Sequence, residues 1–136
     1  MKHPPPTEFD RWLTNIGGEE FGLVHKLYEW YKLLHADTIK FPKTERYTLG
    51  EALKTRTLIM IEGVWEANAL PLPERLTLLD RLQRTLDLMK LLVRLVHDLG
   101  IYHLKGYLYR EERLQEIGRM LGTWRKNTRK RLGLDP

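Results

Sequence analysis

The stretch LTLLDRLQRTLDLMKLLVRLVHDL, residues 76–99, decides the fold of this chain. Its apolar side chains recur at steps of three and four positions, which places them on one face of an α-helix. That face consists of Leu76, Leu79, Leu82, Leu86, Met89, Val93, Val96 and Leu99. Because a single helix cannot bury such a face by itself, the stretch predicts a helix that packs against others. We expect it to end at Gly100, since glycine suits the position after a helix.

Two segments before this helix show the same period. The first, about residues 20–40, ends before Pro42 and presents Leu23, Val24, Leu27, Trp30, Tyr31 and Leu34 on one face. The second is predicted to begin at a capping box, in which Thr48 and Glu51 each satisfy a backbone N–H, and to run to about residue 70. Its inner face is expected to contain Leu49, Ala52, Leu53, Ile59, Met60 and Ala67.

A fourth helix, about residues 103–131, completes the pattern. Its predicted buried residues are Leu104, Leu108, Leu114, Ile117, Leu121 and Trp124. Four helices with short connections imply antiparallel neighbours, so we predict an all-α, up-down-up-down four-helix bundle. The predicted organisation is an N-terminal extension over residues 1–20, the bundle over 21–126 and a basic C-terminal tail over 127–136. The extension could be a strap packed on the bundle or a docking peptide, and its apolar spacing fits a short helix ended by a Gly-Gly pair.

The composition argues against an enzyme. Cysteine and serine are both absent, which removes disulfides, thiolate metal sites and the commonest nucleophiles. None of the five histidines has a glutamate three residues before it, so the metal-binding pattern of di-iron bundles is missing and neither a metal nor another cofactor is expected. No stretch is long and apolar enough to cross a membrane. These features predict a non-catalytic protein of the cytoplasm.

Positive charge gathers at the C-terminal end. The last fifteen residues contain five basic side chains and one acidic one, in a chain of net charge +5. Such a cluster attracts polyanions. Alternatively, the cations belong to a solvated helix end, where they complement the negative pole of the helix dipole.

Glycines and aromatic residues indicate close contacts. Gly118 and Gly122 lie on one face of the fourth helix, where each costs about 1 kcal/mol relative to alanine, so a nearby backbone within the bundle or in another subunit should offset that cost. Gly63 suggests a second close approach or a bend. Four aromatic residues do not all fit the inward faces: Trp65, Tyr102, Tyr107 and Tyr109. They indicate either oligomerisation or large residues closing the ends of a thin bundle.

Three stretches resemble a known family. They are FPKTERYTLG at 41–50, IEG at 61–63 with EAN at 66–68, and EIGRMLGTW at 116–124. Over roughly residues 22–126 the chain resembles the four-helix-bundle proteins that include the accessory variability determinant of diversity-generating retroelements and the proteins encoded by ribosomal RNA intervening sequences. The last stretch is the most specific of the three.

The resemblance implies a homopentameric barrel with basic surfaces that binds nucleic acid and a reverse transcriptase, and that supports mutagenic copying of a template RNA without catalysing it. It also implies packing roles for Gly118, Gly122 and Trp124. Phosphate contacts by Lys and Arg are largely independent of sequence. The expected nucleic-acid-binding residues are Arg119, Arg125, Lys126, Arg129, Lys130 and Arg131, with Arg56 and Arg94 as lesser candidates. The alternative function is a structural or interaction protein of the intervening-sequence type that has no polymerase partner.

Overall fold

The computed structural model describes residues 7, 8, 11 and 19–134. Four long helices account for most of them: α1 (Glu19–Lys40), α2 (Glu51–Ala69), α3 (Leu72–Asp98) and α4 (Leu104–Arg131). α1 and α3 each pack against both α2 and α4. The predicted all-α four-helix bundle is therefore confirmed. Most of the predicted extension over residues 1–20, with its proposed short helix, lies outside the described residues.

The bundle has two different ends. The connections 41–50 and 99–103 lie at one end, which we call the two-loop end, because α1 and α3 finish there and α2 and α4 start there. The short α2–α3 connection lies at the other end, together with the start of α1 and the finish of α4; we call it the terminal end. Arg75 closes α2 at this end by donating hydrogen bonds to three carbonyl oxygens of the last turn and the connection, at 2.9–3.2 Å.

The core contains most of the predicted apolar faces. Almost all of the predicted face of α3 is buried, as are the predicted residues of α4 from Leu114 onward. Four predicted core residues are instead exposed, and those predictions were wrong: Ile59, Leu99, Leu104 and Leu108. Leu99 and Leu104 flank the loop at the two-loop end, where no further helix covers them. Leu108 is one position beyond Tyr107, which turns toward α3, so Leu108 points outward.

The predicted capping box at Thr48 was also wrong. A short helical turn, Lys43–Glu45, and a π-helical turn, Arg46–Gly50, lead directly into α2, so Thr48 lies inside the helical segment. Its hydroxyl donates to the Glu45 carboxylate at 2.7 Å instead of accepting a backbone N–H at a helix start. The entry is tight, because a Cβ at Gly50 would lie 2.9 Å from Cγ2 of Thr38 on α1.

A buried ion pair fastens the α3–α4 loop to α1. The Asp37 carboxylate accepts hydrogen bonds from Nη2 and Nε of Arg110 at 2.6 and 2.7 Å, and from the Tyr102 hydroxyl at 2.8 Å. Burial, followed by the nearby Asp37 charge, raises the pKa of the Tyr102 phenol far above its usual range. The predicted helix stop is confirmed, since Gly100 has a φ of 79°.

Candidate nucleic-acid interface

The final turns of α4 present cations on a firmly packed helix. Leu121, Trp124 and Thr128 face the core, and Thr128 is only 2% exposed although it lies three residues from the end of the helix. The segment predicted as a tail from residue 127 therefore continues α4 through Arg131. Packing of this helix fixes the direction in which its basic side chains point.

Three of the predicted cations share the outward side of α4. Arg119, Lys126 and Lys130 are separated by seven and four positions, which places them on one helix face, and all three are exposed. We call this set the basic face. Among the described residues, no acidic side chain lies within ion-pair distance of any of the three. Lys126 and Lys130 therefore present their charge to solvent. Arg119 is close enough to Glu116 to help lower the pKa of that carboxyl, although the hydrogen bond from Lys26 is the main cause. Half-buried Arg129 and exposed Arg131 follow in the last turn of α4.

Arg125 has a different setting. It reaches across to α3, where its Nη2 and Nε donate to Oδ1 of Asp80 at 2.8 and 3.0 Å. Both side chains are about one-third exposed. This contact holds the C-terminal half of α4 against α3. It also compensates part of the positive charge of Arg125, which lies beside the basic face.

The two lesser candidates lie away from the basic face. Arg94 is in the last turns of α3, near the two-loop end, where it forms an ion pair with Asp98 at 2.9 Å and lies 5.9 Å from the Tyr107 ring centroid. Its hydrogen bond to Asp98 raises the pKa of its guanidinium. Arg56 is half-buried on α2 and donates to the carbonyl of Ala52 at 3.4 Å. The structure does not bring either one together with the α4 cations.

Two further cations were missed by the sequence reasoning. Arg81 and Arg84 are exposed on α3, in the half that lies beside the C-terminal half of α4, as the Asp80–Arg125 contact shows. Their spacing of three positions on the side opposite the buried face was the available signal. Because α3 and α4 are antiparallel, the basic N-terminal half of α3 and the basic C-terminal half of α4 lie at the same end of the bundle.

The glycines differ in what surrounds them. A Cβ at Gly63 would lie 2.5 Å from Cδ2 of Leu82, so α2 and α3 approach closely there. A Cβ at Gly118 would make an ordinary 3.4 Å contact with Leu86. A Cβ at Gly122 would meet no atom within 4 Å, so the single bundle does not require glycine at this position.

Most of the large exposed apolar residues fall into two sets on different helix pairs. The first, which we call the leucine face, lies on the outer sides of α3 and α4 toward the two-loop end and consists of Leu88, Leu91, Leu95, Leu99, Leu104 and Leu108. The second, the α1–α2 aromatic face, consists of Tyr28, Leu58 and Trp65. A contact between Phe21 and Trp65 sets the antiparallel register of α1 and α2, which brings Tyr28 level with Leu58.

The four aromatic residues that do not all fit the predicted inward faces divide into two groups. Trp65 and Tyr109 are exposed. Tyr102 is buried at the two-loop end, where its ring packs against Phe41 and its hydroxyl binds Asp37, as expected for a large residue that closes the end of a bundle. Tyr107 is half-buried and stacks on His97 with ring centroids 4.6 Å apart.

Within residues 7, 8, 11 and 19–134 no group of three or more histidine and acidic side chains is placed to bind a metal ion. No helix among these residues is long and apolar enough to span a membrane.

Comparison with known proteins gives one match. The family model described as bAvd-like matches residues 22–128, which is most of the chain and includes nearly all of the four helices. No curated protein and no solved structure matches the chain significantly. The family match covers the same region as the resemblance noted in the sequence, and the structure is the four-helix bundle expected of it. The chain is a member of the bAvd-like family.

Proposed function

We propose that this protein is a non-catalytic accessory subunit of a diversity-generating retroelement reverse transcriptase, and that it binds nucleic acid through the basic face of α4 while it binds the polymerase. Family membership supports the accessory role. The template RNA or its RNA–DNA hybrid is the nucleic acid we expect, since mutagenic reverse transcription passes through both.

The observation that carries the nucleic-acid assignment is the basic face itself. Arg119, Lys126 and Lys130 project from one side of a packed helix without acidic neighbours within ion-pair distance among the described residues. A row of exposed cations on one packed helix suits a phosphate backbone, because each contact releases condensed counterions. Binding of this kind is largely independent of base sequence, which suits a subunit whose polymerase partner carries the template.

Assembly into a homopentamer is part of the same proposal. The leucine face and the α1–α2 aromatic face differ in composition and lie on different helix pairs. When one surface of a molecule binds a different surface of the next copy, the contact is heterologous and can close into a ring. A five-membered ring would repeat the basic face five times and would bury both apolar faces, so that weak phosphate contacts add up.

The test combines mass and binding measurements on the full-length protein. Light scattering should give the mass of five copies, and fluorescence anisotropy with a structured RNA should show affinity that falls with salt. The triple variant Arg119→Gln, Lys126→Gln and Lys130→Gln, which removes the charges of the basic face, should bind more weakly. Its salt slope should be smaller by about 2, because each phosphate contact contributes roughly 0.7–0.9 to the slope.

A matched control removes charge elsewhere. The triple variant Lys32→Gln, Lys90→Gln and Lys105→Gln removes the same number of charges outside the basic face and should keep affinity and slope close to those of the unaltered protein. Equal decreases in affinity for both variants would mean that net charge, rather than the end of α4, determines binding. Co-purification with a reverse transcriptase tests the partner, and its absence together with unaffected RNA binding would favour the interaction-protein alternative.

A further inference from the structure

We infer that Tyr47, at the two-loop end, is a stacking platform for one base of a single-stranded nucleic acid, with neighbouring cations holding the adjacent phosphates. This inference rests on the proposed function, since it adds a single-strand site to a nucleic-acid-binding protein. Tyr47 lies at the two-loop end, whereas α4 finishes with its basic face at the terminal end, so the two sites can be tested separately.

Tyr47 has the most exposed aromatic ring among the described residues, at 70%. The other exposed rings all have a neighbour: Trp65 meets Phe21 edge to face, Tyr28 lies under Lys32 and Tyr109 lies under Arg113. In the described part of the chain no ring or cation covers Tyr47. At 70% exposure, most of the Tyr47 side chain is therefore accessible to a planar partner.

The backbone that carries Tyr47 is held rigidly. Arg46 donates from Nη2 to the carbonyls of Ile39 and Phe41, at 3.0 and 3.4 Å, which ties the π-helical turn to the end of α1. Phe41 is buried and packs edge to face on Tyr102. Gly50 closes the turn against α1 through a contact that a Cβ would obstruct. A ring on a fixed backbone loses little conformational freedom when a base stacks on it.

The charge around Tyr47 suits a polyanion. Residues 39–54 contain four basic side chains and two acidic ones. Lys40 and Lys43 are exposed, and Lys43 precedes Tyr47 by four positions in the helical segment, so the two side chains lie on the same side. One of the acids, Glu45, accepts a hydrogen bond from the Thr48 hydroxyl.

This combination selects a single strand rather than a duplex. Bases in a duplex are already stacked on their neighbours, whereas an unpaired base offers its face to an aromatic side chain. Stacking of this kind does not depend on base identity, because every base has a π-face. We therefore expect the site to accept any unpaired segment of a template or product strand.

The experiment measures the coupling between the ring and a base. Full-length protein is titrated by fluorescence anisotropy against three probes: an unstructured RNA, its duplex, and an abasic strand with the same number of phosphates. Each probe has about 20 nucleotides, which is slightly longer than the largest usual single-strand site. The variants are Tyr47→Ala, Tyr47→Phe and the control Tyr109→Ala. Tyr109 is also exposed, but Arg113 lies over one face of its ring.

Tyr47→Ala should weaken binding of the single strand about 5- to 100-fold, the range expected for one stacked base, and should leave the duplex and the abasic strand within about twofold. Tyr47→Phe should bind the single strand as the unaltered protein does, because stacking uses the ring rather than the hydroxyl. Tyr109→Ala should have no effect on any probe.

Several results would overturn the inference. Unchanged single-strand binding by Tyr47→Ala, or an equal decrease on the abasic strand, would exclude stacking. A change in the light-scattering mass of Tyr47→Ala would assign the ring to a protein contact instead. If the unaltered protein binds neither single strand nor duplex, the proposed function itself fails. If it binds both, and Tyr47→Ala binds them with unchanged affinity, only the Tyr47 site is refuted.

Discussion

Replacing Gly63 with alanine places a methyl group at the closest approach of α2 and α3. An ideal Cβ at this position lies 2.5 Å from Cδ2 of Leu82, 3.2 Å from Cδ1 and 3.3 Å from Cγ. Carbon atoms in favourable contact are about 3.5–4.0 Å apart. Leu82 is 2% exposed, so its isobutyl group can shift only within the core and not into solvent. The side chain or the helices must therefore move.

The magnitude follows from two opposing effects. Overpacking a core costs about 1–3 kcal/mol, while alanine in place of glycine inside a helix gains about 1 kcal/mol. Gly122→Ala is the matched control, because it makes the same change inside α4 where a Cβ meets nothing within 4 Å. The gain in helix propensity is common to both variants, so Gly63→Ala should be less stable than Gly122→Ala by about 1–3 kcal/mol.

The assay is urea unfolding followed by far-UV circular dichroism, at one protein concentration because assembly would shift the apparent stability. A double-mutant cycle identifies the cause: in a Leu82→Ala background the added methyl enters the space vacated by the leucine, so Gly63→Ala should be neutral or stabilising there. Equal stability of Gly63→Ala and Gly122→Ala, or the same effect of Gly63→Ala in both backgrounds, would refute the reasoning.

Three further predictions concern the polar contacts that close the ends of the bundle. Asp37→Asn leaves the charge of Arg110 buried and should lower the free energy of unfolding by about 3–5 kcal/mol, whereas Glu116→Gln, which affects an exposed ion pair, should change it by at most about 1 kcal/mol in the same urea assay. Burial raises the pKa of the Tyr102 phenol, so the neutral phenol stabilises the fold fully below the ordinary phenol pKa and this stabilisation is lost progressively above it. The free energy of unfolding should therefore fall as pH rises past about 10, and it should fall less steeply in Tyr102→Phe. Urea unfolding between about pH 8 and 11 measures both. Arg75→Gln leaves carbonyls at the end of α2 without their donor and should cost about 1–3 kcal/mol; unchanged stability in thermal unfolding would show that water replaces the guanidinium.

Most of the fold could be predicted because helical periodicity is a local property. The leucine spacing of α3 and the stop at Gly100 follow from side-chain positions within a few turns, and both are confirmed. The failures fall where a neighbouring element decides the outcome. Thr48 and Glu51 have the residue types of a capping box, yet the helical segment begins before both of them, at Lys43, and passes close to Thr38 of α1 at Gly50.

The exposed leucines show a second limit of periodicity. Leu104 and Leu108 repeat at a spacing that suits a buried face, but the helix start they occupy lies at the open two-loop end. Periodicity predicts which residues share a face; it cannot predict whether another helix reaches far enough to cover that face. The same holds for Tyr102, which is buried because Asp37 and Arg110 from two other helices enclose it.

The sequence by itself determined the class of protein: four amphipathic helices, no cysteine or serine, a basic C-terminal end and the motifs of the bAvd-like family. Only the tertiary structure decided which cations remain uncompensated, because Arg125 is engaged by Asp80 forty-five positions away whereas Lys126, its neighbour in the chain, is not. It also decided that Trp65 meets Phe21 and Tyr109 lies under Arg113, whereas Tyr47 has no ring or cation contact among the described residues. Helical spacing depends on residues a few positions apart, whereas charge compensation and ring coverage depend on residues that meet only when the bundle closes.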